Sequence, residues 1–77
     1  MTPGKLYISK KLAFHIWEDD SYGKHIGVLN TEVPFILVEF VNLSNSLEDM
    51  RILTTDGTVG IIHSINANRE FFQEVKE

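Results

Sequence analysis

Three histidines (His15, His25 and His63), eleven acidic residues and no cysteine are the groups from which this chain would have to assemble any acid–base, metal or nucleophilic chemistry. None of the histidines falls in a His-x-x-x-His spacing, which would set two imidazoles on one helix face around a metal. His25 follows Asp19 and Asp20 in one polar stretch, where oxygen and nitrogen ligands come near each other along the chain. The stretch reads as a solvated loop, so no metal and no cofactor is expected. Nucleophilic catalysis needs a hydroxyl or thiol held against a base. The chain has no cysteine and no Gly-x-Ser-x-Gly elbow. Gly57 and Gly60 flank a turn instead of opening a helix, which argues against a phosphate-cradling loop. The expectation is a protein without catalytic residues.

Size and charge narrow the classes further. At 77 residues the chain is expected to form one domain, residues 1–77. A domain this short buries only about 60% of the surface its unfolded chain exposes, so the core has little to spare. The net charge is −4, and only Lys10 and Lys11 adjoin as a basic pair. Binding to a phosphate backbone requires clustered Lys and Arg, so nucleic acid is not an expected partner. No apolar run of signal-peptide length follows Met1, and the stretch from Val33 to Val38 is too short to span a bilayer. No membrane association is expected. A cytoplasmic location follows, in keeping with the lack of disulfide-forming residues.

The elements that would position these groups read as β throughout. Lys5–Ser9 and Leu12–Trp17 alternate. In the second run Leu12, Phe14 and Ile16 are expected to face the core, leaving Ala13, His15 and Trp17 on the other side. Glu18–Lys24 is a polar loop and Ile26–Leu29 a short strand, followed by a turn at Asn30–Glu32. Pro34–Val41 is a strand, and Asn42–Ser46 reads as a loop. Met50–Thr55 and Thr58–His63 flank Asp56-Gly57, the signal for a two-residue type I′ hairpin turn. A helical turn is expected near Ile65–Asn68. The segment Phe71–Val75 suits either a helix face or a closing strand, with extended chain the favoured form.

The order of these elements resembles the bacterial type of Src-homology-three domain. Leu12-Ala13-Phe14-His15 stands for its opening strand, Glu18–Lys24 for its polar loop and Ile26-Gly27-Val28-Leu29 for the turn that follows. Phe35-Ile36-Leu37-Val38 stands for its strand of alternating valines, and Leu53–Ser64 for its closing hairpin. A free-standing acidic barrel is also similar to small proteins of bacteria and their viruses. The resemblance implies an all-β fold: a small Src-homology-three-like barrel of five to six short antiparallel strands, with a short helical turn near the C-terminus. It implies a domain that binds peptides or proteins. Two positions depart from the family pattern. Its hairpin tryptophan is Ile61 here, and its glycine before the valine strand is Glu32.

Two candidate surfaces follow. Alternation turns Trp17 outward at the base of the polar loop, where Asp19, Asp20 and Tyr22 would complete an aromatic and acidic patch for a peptide or protein, with a basic partner favoured. The competing reading packs Trp17 under the loop or the C-terminal tail. In Pro34–Val41, Ile36, Val38 and Phe40 form a second apolar face opposite Phe35 and Leu37. That face is covered either by another part of the chain or by a second copy in a homodimer.

Overall fold

The computed structural model describes residues 1–18, 23–44, 47–63, 65 and 69–76, with the side chains of 42–44 and 47 excepted. Seven strands form in chain order: β1 (Leu6–Ser9), β2 (Phe14–Trp17), β3 (His25–Leu29), β4 (Phe35–Ser44), β5 (Leu47–Thr54), β6 (Val59–Ile62) and β7 (Phe72–Glu74). They pair antiparallel in one sheet, ordered β3-β2-β6-β5-β4-β1-β7. The fold is all-β, a half-barrel with one strand more than the upper sequence expectation.

The sheet curls because its apolar residues lie mainly on one face. Phe35, Leu37, Met50, Ile52, Ile62 and Ile65 are buried together with Tyr7, Ile16, Leu29 and Phe72. Phe72 of β7 stacks on Phe14 of β2 at 5.1 Å between ring centroids and meets Phe35 edge-on at 5.8 Å. Strands far apart in the sheet order thus share one core. Such contacts between large aromatic rings hold the curl.

Several sequence expectations are corrected here. Leu12 is exposed and precedes β2, so only Phe14 and Ile16 of the expected inward set turn to the core. β4 runs on through Ser44, where a loop was expected from Asn42. The hairpin at Asp56-Gly57 forms, but not as type I′. Among the described residues only Glu32, Gly4 and Gly57 have positive φ, so Asp56 does not. Thr54 N donates to Thr58 O at 2.9 Å and Gly57 N to Thr54 O at 3.0 Å. This is a three-residue loop closed by a left-handed glycine, which meets the strand twist as well as a type I′ turn does. Near the C-terminus Ile65 is in 3₁₀ conformation where a helical turn was expected, the rest of that expectation (66–68) lies outside the described residues, and a 3₁₀ turn occupies Arg69–Phe71. The chain then extends, as favoured, and closes on β1 through Tyr7, Ile8 and Ser9.

Two register shifts decide what the outer face carries. Leu37 pairs with Ile52 and Glu39 with Arg51, which makes Val38 an extra residue in β4. A bulge inverts the alternation beyond it. Phe40 therefore leaves the face of Ile36 and Val38 and packs half-buried against the core, with the Arg69 guanidinium 5.2 Å from its ring centroid. The second shift lies in β3. Ile16 pairs with Gly27 and Trp17 with His25, so Ile26 is the extra residue.

Candidate functional site

The three histidines share one neighbourhood around the sole tryptophan, and the β3 bulge sets His25 there. His15 and Trp17 alternate outward from β2, and His25 is the register partner of Trp17 on β3. His15 Nδ1 lies 2.9 Å from His25 Nε2, within hydrogen-bond distance, and the rings meet edge-on at 4.9 Å between centroids. Trp17 stands 5.1 Å from His25, 6.4 Å from His15 and 6.4 Å from His63. His15 and His25 are exposed, whereas Trp17 is half-buried.

Next to the indole, His63 belongs to a polar pair. Asp49 of β5 and His63, just beyond β6, meet at 3.1 Å between Oδ2 and Nδ1, with side-chain exposures of 3% and 7%. Burying a carboxylate is costly unless it is hydrogen-bonded, and the imidazole supplies such a contact.

The indole also has a packing role. A cross-strand row runs His25, Trp17, Ile61, Arg51 and Glu39 over five strands. Ile61 is fully buried yet stands outside the main core cluster. Its register partners are Trp17 and Arg51, whose long side chains flank it, and Arg51 is paired in turn with Glu39. Gly60 is the next position. A Cβ there would lie 2.3 Å from Ile16 Cγ2 and 2.9 Å from the Trp17 carbonyl oxygen, so glycine lets β2 approach β6 closely.

The expected aromatic–acidic patch is thus placed only in part. Trp17 lies at the base of the 18–24 segment, whose ends are tied by the Glu18 N–H donating to Lys24 O at 2.8 Å. Asp19, Asp20 and Tyr22 lie outside the described residues. In the C-terminal strand, Phe72 packs with Phe14 and Phe35. The grouping of the histidines was missed because His15 and His25 are ten residues apart, and their contact depends on a bulge. Alternation signalled only that His15 and Trp17 share a face.

On the outer face, Val59, Leu53, Ile36 and Leu6 form a cross-strand apolar row, with Val59 52% and Ile36 37% exposed. A cavity of about 340 Å³ opens between β3 and the β5–β6 loop, lined in part by Ile26, Val28, Val33, Thr54 and Asp56. Asp56 accepts hydrogen bonds from the Thr54 hydroxyl and the Thr58 amide, which hold its carboxyl below the ordinary value of 3.8. Among the described residues, no group of three or more His, Cys, Asp or Glu is placed to enclose a metal. No helix among them is long and apolar enough to cross a membrane.

In comparisons with known proteins, the chain matches no family model, no curated protein and no solved structure.

Proposed function

We propose that the protein is a non-catalytic interaction module, a Src-homology-three-like half-barrel that binds an extended peptide or a protein segment across the β2–β3 face. One observation carries this reading: the sole indole, half-buried, is walled by two exposed imidazoles beside the 18–24 segment. Flat amphipathic rings fixed on strands offer large contact area at low entropic cost. The neighbouring acids Glu18, Asp19 and Asp20 and the net charge of −4 favour a partner carrying Lys or Arg. Nucleic acid is disfavoured on the same ground. Three of the seven cations, Lys10, Arg51 and Arg69, are already paired with Glu32, Glu39 and Glu48.

The test is a selection from a random peptide library on the folded protein with a metal chelator present, followed by titration of Trp17 emission with the enriched peptides. The reading expects Lys- or Arg-containing sequences that shift the emission and lose affinity as salt rises. Enrichment of sequences that leave the emission unchanged would place the binding surface elsewhere.

A second reading is favoured by the apolar row of Val59, Leu53, Ile36 and Leu6, next to exposed Val38. In this reading the outer face of β4–β6 pairs with a second copy of the chain. Sedimentation across a hundredfold concentration range separates the two. A mass that rises with concentration and falls to the monomer in Ile36→Lys supports self-association, and a constant monomer mass rejects it.

A further inference from the structure

We propose that His15 and His25 form a two-point site for a divalent transition metal of the Cu²⁺ type on the exposed β2–β3 face. The proposal rests on ring geometry and is independent of the peptide-binding reading. His15 Nδ1 and His25 Nε2 point at one another across 2.9 Å, with ring centroids 4.9 Å apart. One of the two nitrogens must be unprotonated to accept this hydrogen bond, so one ring already presents a lone pair toward the other.

A metal ion can replace the shared proton. At an imidazole–metal distance of about 2.0–2.1 Å, two ligand nitrogens subtending roughly 90–109° lie about 2.9–3.3 Å apart. The observed separation of 2.9 Å, set by the hydrogen bond, leaves the two nitrogens within reach of that range after small ring rotations. Imidazole nitrogen suits Cu²⁺, which also stands highest in the ordinary affinity order of divalent first-row metals. Both rings are exposed, so small side-chain rotations can aim both lone pairs at one ion while water fills the remaining positions. The backbone holds the pair close, because the bulge at Ile26 sets His25 opposite Trp17 and next to His15. His63 stays out of the site, engaged with Asp49.

The test uses the full chain in a non-coordinating buffer. Cu²⁺ is added alone, and binding is followed by Trp17 fluorescence, which a paramagnetic ion held by the two imidazoles would quench, since their ring centroids lie 6.4 and 5.1 Å from the indole. Electron paramagnetic resonance counts the imidazole nitrogens. The expected result is saturable one-to-one quenching with two coordinated imidazole nitrogens. His15→Gln and His25→Gln, both surface substitutions, are each expected to lose at least tenfold in affinity and to show fewer coordinated imidazoles. Affinity within twofold of the parent in both variants, with melting temperatures unchanged, would overturn the proposal. So would quenching in the parent protein that never saturates.

Discussion

Asp49 Oδ2 lies 3.1 Å from His63 Nδ1, and neither side chain is more than 7% exposed. The pair ties β5 to the end of β6, and the His63 ring lies 6.4 Å from the Trp17 indole. Removing one member leaves the other buried without this contact, which typically costs about 1–3 kcal/mol. Asp49→Ala is therefore expected to lower the unfolding free energy in urea melts by that amount, with a correspondingly lower midpoint. An unchanged midpoint would mean that the pair contributes nothing to the fold.

The glycines should rank by what surrounds them. Gly60→Ala drives a Cβ to within 2.3 Å of Ile16 Cγ2 and 2.9 Å of backbone at Trp17. Overpacking of this kind costs about 1–3 kcal/mol. Gly57 has open space but a φ of +88°, so Gly57→Val is expected to cost about 1 kcal/mol or more through backbone strain alone. Gly27 has neither a close neighbour nor a positive φ, and Gly27→Ala should lie nearest to the parent in thermal melts. A different order would count against the close β2–β6 approach.

Glu32 sits at φ 65°, in the left-handed region that favours glycine. Glu32→Gly relieves a strain of about 1 kcal/mol or more. It gives up only the exposed contact between Glu32 and Lys10 at 3.6 Å, a kind of pair usually worth under about 1 kcal/mol. A raised melting temperature is the expected outcome, and a lowered one would show that the carboxylate matters more than the backbone.

Asp56 offers a pH test of the hairpin. Its hydrogen bonds from Thr54 and Thr58 depress its folded pKa below 3.8. A depressed carboxylate adds stability above its unfolded pKa, and that stability is lost as the pH falls through the folded value. Thr54→Val removes the largest cause, so the Asp56 carboxyl should titrate closer to 3.8 in a carbon-detected NMR titration. An identical titration curve in the variant would remove the hydroxyl from the account.

What was legible in the sequence followed from period-two alternation and glycine punctuation. Phe14 and Ile16, Phe35 and Leu37, and the turn at Gly57 all fell where those signals put them. The bulge in β4 was not legible, because an extra residue leaves no mark in a strand whose faces are both apolar, whereas Gly27 signalled a bulge or a close backbone approach in β3 without placing it at Ile26. Val38 therefore misdirected the reading of Phe40, and Ile26 concealed the meeting of His15 and His25. The end of β4 was misread for a different reason. Asn42 and Ser44 are turn-prone residues, but pairing with β5 overrides their local preference.

The central claim is that the indole of Trp17 anchors a bound peptide. Calorimetry of a library-selected peptide against the parent protein and Trp17→Leu tests it most directly, since leucine keeps apolar cover beside Ile61 while removing the ring. The account predicts an affinity loss of roughly thirtyfold, about 2 kcal/mol, with folding retained. Equal affinity for the two proteins would contradict it and move the binding surface away from Trp17.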